Sequence, residues 1–177
     1  IKRLPILCYP VQWLETFFHE LSHGLAALFT GGKAHRLRIL FNGAGLCTTS
    51  GGSRFIILLS GYIGAVVFGC LIYISGWAAT DTHASYILAG LLGLLAVSTL
   101  FLVRDIVTLL IIACIAAFLY IPFLLPQLPQ LAMIVQLLGL SVLLSACLSP
   151  LHLIDGKLEG DGAELFRMTF LPEGVWI

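Results

Sequence analysis

His19-Glu20-Leu21-Ser22-His23 sets two imidazoles and a carboxylate within a single short stretch of chain. On a helix, residues four apart lie about 40° apart around the axis, so His19 and His23 share one face. Two imidazoles so arranged can bind one zinc ion, and the intervening Glu20 can act as general base toward water that the ion acidifies. The implied chemistry is hydrolysis. Glu15 lies one helical turn before His19 on a similar face, where it would orient an imidazole or stand beside a water-filled opening.

The surroundings of the motif are apolar. Of 177 residues, 59% are hydrophobic and 10% charged, and the mean hydropathy is +1.05. A soluble domain carries about 25% charged residues, so this chain lacks the charges to cover its own surface in water. It reads as an all-α polytopic membrane protein whose exterior is solvated by the lipid bilayer. The formal net charge is +0, which leaves no global field to draw nucleic acid. The cysteines Cys8, Cys47, Cys70, Cys114 and Cys147 are scattered without a CxxC pair and read as buried thiols. Two His and a Glu inside a membrane helix are costly, and intramembrane ionisable groups are functional by default. The bland alternative is a polar cluster that glues helices together.

The elements that must position the motif follow from hydropathy. About five to six membrane helices are expected, with a small β-hairpin after the first. Residues 5–30 form the first helix and end at Gly31-Gly32, a natural helix stop. Residues 33–53 are polar. Within them Arg36 to Phe41 alternates like a strand, Asn42-Gly43 is a hairpin turn signal, and residues 44–49 return. Further helices occupy residues 55–148. The span 55–77 carries Gly61, Gly64 and Gly69, which suit close packing at the centre of a bundle. Spans 84–103 and 106–121 are separated at Arg104-Asp105, because one helix over both would be about 57 Å long against a core of about 30 Å. Pro122, Pro126 and Pro129 mark a loop before the span 131–148. The tail, 149–177, holds most of the remaining acids. Residues 1–177 thus read as one membrane-embedded unit with no soluble second domain.

Lys33, Arg36, Arg38, Arg54, Arg104, Lys157 and Arg167 fall on one side of such a bundle, against Lys2 and Arg3 on the other. The positive-inside bias makes the first side cytoplasmic. His23 is seven residues from Thr30, about 10 Å along a helix, so the motif sits within the bilayer, nearer the cytoplasm. Trp13, Trp77 and Trp176 fall near span ends, as an aromatic belt would. His35, His83 and His152 read as surface residues.

Catalytic zinc usually takes three protein ligands and keeps one position open. The tail offers two Asp-Gly pairs on the predicted side of the motif, Asp155-Gly156 and Asp161-Gly162.

The context Phe17-Phe18-His19-Glu20-Leu21-Ser22-His23-Gly24-Leu25, with Thr30-Gly31-Gly32 after it, resembles the site-2 protease family of intramembrane zinc metalloproteases. Ser60-Gly61-Tyr62-Ile63-Gly64 resembles the glycine-rich stretch of that family's next core helix. Gly160-Asp161-Gly162-Ala163-Glu164-Leu165-Phe166-Arg167 resembles its Asp-Gly-small-x-aliphatic-x-Arg motif, whose carboxylate is the third zinc ligand. The resemblance implies zinc held by His19, His23 and Asp161, with Glu20 catalytic. Asp161 is favoured over Asp155 because helix-forming residues follow it directly, whereas Lys157 and Gly160 after Asp155 read as loop. The implied substrates are transmembrane proteins or peptides, single-span proteins or their remnants after a first cut. Two other classes stand beside this reading. One is a catalytically retired, protease-like subunit that binds a partner in a larger membrane complex; an intact Glu20 argues against it. The other is a transporter or channel with an incidental metal site, whose signature of paired interrupted spans in two related halves is not visible.

Overall fold

The computed structural model describes residues 9–124, 130–149 and 160–171. In chain order it contains α1 (Tyr9–Phe29), β1 (Lys33–Ile39), β2 (Gly45–Ser50), α2 (Arg54–Ala78), α3 (Asp81–Leu102), α4 (Ile106–Leu124), α5 (Leu131–Leu148) and α6 (Asp161–Thr169). Four helices, α2 to α5, are long and apolar enough to cross a membrane. The expected count of five to six includes α1, which is long enough at 21 residues but carries Gln12, Glu15, His19, Glu20 and His23. Protein surrounds the middle of this helix. From Leu14 to Gly24 every residue but His19 is buried, as a helix with polar groups at membrane depth requires.

α1 stops where the glycines predict. Gly31 takes φ +83°, its N–H donates to Leu28 O at 3.2 Å and the Gly32 N–H donates to Ala27 O at 2.7 Å. This pair of bonds closes the helix end and turns the chain back. The chain then forms the hairpin, an antiparallel pair with a bulge between Ala34 and Arg36. Its strands are offset from expectation because the turn is wider than two residues. The Leu40 N–H donates to Ala44 O at 2.8 Å, and Asn42 Oδ1 accepts from the Ala44 N–H at 3.1 Å. The turn reaches far down α1: the Thr16 hydroxyl donates to Gly43 O at 2.8 Å. Thr16 precedes Thr30 by 14 residues, about 21 Å of helix, so the hairpin folds back alongside α1. Trp13 packs against Phe41 of the turn, with ring centroids 6.5 Å apart. It clamps the hairpin turn, whereas Trp77 at the end of α2 is 73% exposed.

Helices cannot rely on the hydrophobic effect for association in lipid, so close packing must hold them. α2 and α5 pack along their lengths, and α1 lies across α2, α5 and the hairpin. Glycines make the α2–α5 approach. A Cβ at Gly69 would lie 2.8 Å from Leu143 N, one at Gly76 would lie 2.6 Å from Gln136 N, and one at Gly139 would meet Tyr73 N and lie 2.7 Å from Tyr73 Cα. A core of Leu14, Phe17, Phe18, Leu37, Ile39, Leu88, Ile111, Ile115 and Val135 joins α1, β1, α3, α4 and α5. Cys47, Cys70, Cys114 and Cys147 are free thiols; Cys114 and Cys147 are exposed on the outside of their helices instead of buried.

The break between α3 and α4 is a turn, as the length argument requires. Arg104 donates to Leu100 O, Phe101 O and Val103 O at the end of α3. Asp105 accepts from the Thr108 N–H at 3.0 Å at the start of α4. Each charge sits at the helix end whose dipole and unpaired backbone groups it complements. α3 starts three residues earlier than expected, capped by Thr80, which accepts from the His83 N–H. α4 continues through Pro122 to Leu124. Cys8, Pro126, Pro129, His152, Asp155, Lys157 and Trp176 lie outside the described residues.

The Gly139→Ala variant must push α2 and α5 apart. It is expected to cost about 1–3 kcal/mol, read as a lowered unfolding temperature in detergent. Gly90→Ala, where nothing lies within 4 Å, should show no such loss.

Candidate metal centre

Three helices converge on one point. α1 presents His19 and His23, α6 brings Asp161 as its first residue, and α2 passes behind with Ile57, Gly61 and Tyr62. His19 Nε2 and His23 Nε2 each lie 2.9 Å from the same carboxylate oxygen, Asp161 Oδ2. His23 Nδ1 lies 2.6 Å from Ile57 O. A carbonyl only accepts, so Nδ1 carries the proton and donates. In the neutral imidazole this leaves the Nε2 lone pair facing a carboxylate lone pair. Such a contact needs a positive charge between the two atoms, either a proton or a metal ion. His19 is set by the Tyr62 ring, edge to face at 4.8 Å between centroids.

Space for the converging atoms is kept by a glycine. A Cβ at Gly61 would lie 2.6 Å from His19 Nε2 and 2.6 Å from His23 Nε2. Any side chain there would fill the point at which the ligand atoms meet. The three donor atoms lie within 4.8 Å of one another and form a group able to hold a metal ion. Two imidazoles and a carboxylate suit zinc in type. The two 2.9 Å contacts to Asp161 Oδ2 are slightly shorter than the separation of about 3.3 Å that donors keep around a tetrahedral zinc ion.

Asp161 is held in place from its own helix. Glu164 accepts from Arg54 Nη2 of α2 at 2.6 Å and from Arg167 Nη1 at 2.6 Å. These two guanidiniums hold the Glu164 carboxyl below its ordinary value. Leu165 and Ala163 are buried on the opposite side of α6, so the short helix is fixed by packing on one face and charge on the other. Burial alone would raise the Asp161 carboxyl, but the bonds to His19 and His23 outweigh it and hold the group well below its usual range. An ionised carboxylate is the form that can hold a metal ion.

A family model described as Peptidase M50B-like matches residues 2–177. The chain belongs to the site-2 protease family. No curated protein and no solved structure matches it. Family membership and four apolar helices together make it a membrane protein.

In this site-2 protease family member the metal-type cluster opens on a cavity of about 1090 Å³, lined by α1, β2, the start of α2 and Asp161. Glu20 is buried on its wall and accepts a hydrogen bond from the Cys47 backbone N–H of β2. β2 can come this close because residue 45 is glycine; a Cβ there would lie 2.6 Å from Glu20 Cγ and 2.7 Å from Glu20 Cδ. Burial, then the charges of Glu20 and Asp161, push the Cys47 thiol up to about 12. Cys47 is not among the three residues whose donor atoms converge.

Of the residues singled out from the sequence, His19, Glu20, His23 and Asp161 all meet at this cavity. Glu15 lines it as well and bonds neither imidazole; the Ile57 carbonyl orients His23. His35 bonds Ser50 Oγ at 2.6 Å and His83 bonds Thr80 Oγ1 at 2.8 Å; both are exposed and neither lines the cavity. Sequence reading missed Ile57 O, Tyr62 and the Cys47 N–H as parts of the site, and it gave Gly61 a packing role and a place in the family-like glycine stretch without a role at the imidazoles. A backbone donor or acceptor carries no side-chain signal. The Gly61-Tyr62-Ile63-Gly64 spacing in a span next to the motif was the available clue.

Gly61→Ala is expected to weaken metal binding about 10–100-fold without loss of helix content. Metal stoichiometry after dialysis against a graded chelator, alongside circular dichroism, reads both.

Proposed function

We propose that this chain is an intramembrane zinc metalloprotease that hydrolyses peptide bonds of transmembrane segments. The observation that carries the reading is the convergence of His19 Nε2 and His23 Nε2 on one Asp161 oxygen, beside a buried Glu20 in a cavity walled by a strand. His19, His23 and Asp161 would hold the ion. Zinc in that position supplies Lewis acidity, which acidifies water and polarises a carbonyl. Glu20 takes the proton from water and passes it to the leaving amine. The Cys47 N–H steadies its carboxylate for this task.

The substrate must present an extended backbone, because a peptide bond in a membrane helix is already hydrogen-bonded and shielded. Among the described residues β2 pairs only with β1, and its residues line the cavity. An unwound substrate segment would add to this sheet as a further strand, next to Glu20. The substrate class is single-span membrane proteins, or the membrane remnants of proteins cut once already. His23 lies seven positions before Thr30, Lys33 follows soon after that helix end, and Arg54 opens α2 next to it, where the Ser53 N–H donates to Thr30 Oγ1. The site thus faces the cytoplasmic side under the positive-inside bias.

The purified full chain is expected to hold one zinc ion and to cleave a reconstituted single-span substrate. Glu20→Gln should keep the zinc and lose at least about 100-fold in rate. A wild-type protein without zinc would sink the proposal. Bound zinc with no cleavage that Glu20→Gln abolishes would instead make the chain an assembly subunit.

A further inference from the structure

The turn between α3 and α4 gathers more positive charge than the protein neutralises. Arg36 and Arg38 project from the same face of β1, two residues apart. Both approach one oxygen: Arg36 Nη2 is 3.2 Å and Arg38 Nε 3.7 Å from Asp105 Oδ2. Asp105 is already engaged at the start of α4, accepting from the Thr108 N–H at 3.0 Å and the Thr108 hydroxyl at 2.9 Å. Arg104 spends its donors on the last carbonyls of α3 and brings no negative charge. Two guanidiniums therefore share one carboxylate, with Arg104 beside them, and these four residues carry a formal surplus of two positive charges. Among the described residues the Arg38 side chain makes no hydrogen bond, and neither its Nε nor that of Arg36 has a hydrogen-bond partner.

The place of this surplus says what could balance it. The turn joins the ends of two candidate spans, where hydrocarbon gives way to headgroups. On either side of it the surface is apolar and open: Leu100 is 74%, Phe101 70% and Ile106 65% exposed. The Arg36 and Arg38 side chains are themselves partly exposed, at 37% and 42%, so their outer donors can be reached from that surface. An acidic loop of another protein would match the charge but not the lipid-facing residues beside it. A phosphate linked to acyl chains matches both. The guanidinium fork fits phosphate oxygens in pairs, and basic clusters at span ends bind anionic headgroups.

We infer that Arg36 and Arg38 hold the headgroup phosphate of an anionic phospholipid whose acyl chains lie along Leu100, Phe101 and Ile106. Bound there, the lipid would tie β1, and with it the strand that lines the cavity, to the α3–α4 pair.

The test uses the full chain in detergent, titrated with short-chain phosphatidylglycerol, short-chain phosphatidylcholine or inorganic phosphate. Bound lipid is counted by native mass spectrometry, and the unfolding temperature is followed in parallel. The wild type is expected to bind phosphatidylglycerol at least about fivefold more tightly than phosphatidylcholine, with a matching rise in unfolding temperature. Arg38→Gln, which leaves the Asp105 bonds to Thr108 and Arg36 in place, should erase that preference. Arg36→Gln is an independent second variant and should do the same. Equal binding of the two lipids by the wild type would overturn the inference, and so would a preference that survives both substitutions. Inorganic phosphate that raises the unfolding temperature as much as phosphatidylglycerol would assign the site to a soluble anion and overturn the lipid reading.

Discussion

A single carboxylate oxygen set between two imidazole nitrogens is the contact on which the rest of this molecule depends. His23 already donates through Nδ1 to Ile57 O, so its other nitrogen meets Asp161 as one acceptor meets another. Only a positive charge makes that contact favourable. The groups cannot face hydrocarbon, which would cost several kcal/mol for each unmet polar group. The fold answers by wrapping α1. α2 and α5 cover it from one direction and the hairpin from another, and the carboxylate arrives on a separate short helix. The most polar of the long helices is thereby the most enclosed.

Enclosure needs close approach, and glycine supplies it in two different ways. Between α2 and α5, Gly69, Gly76 and Gly139 let backbones touch, which gives van der Waals contact where lipid offers no hydrophobic drive. Around the cluster, Gly61 and Gly45 clear space for side chains that carry charge, the imidazoles in one case and Glu20 in the other. The same residue type thus sets both helix spacing and the volume of the polar centre.

Much of this was legible in the sequence. The four apolar spans follow from composition, and the stop at Gly31-Gly32 and the turn at Arg104-Asp105 follow from local chemistry. The motif residues and Asp161 were visible by type, spacing and family resemblance. Three matters were less so. The hairpin turn widened to residues 40–44 because the Asn42 side chain caps it, which the Asn-Gly pair alone does not reveal. α1 reads by length as a span, yet its hydropathy is diluted by the groups that make it interesting. The donors and acceptors supplied by backbone, Ile57 O and Cys47 N–H, depend on which elements meet and not on which side chains they bear.

One consequence concerns the order in which the centre comes into being. His19 and Asp161 are 142 positions apart, so a growing chain carries the imidazole pair through the making of every long helix before the carboxylate exists. Until α6 docks, with Arg54 gripping Glu164, the cluster has two donor groups and no third. A polypeptide interrupted anywhere before that helix has the opening motif and an incomplete centre. The geometry therefore works as a completion check, tying the assembly of the centre to the last described helix of the chain.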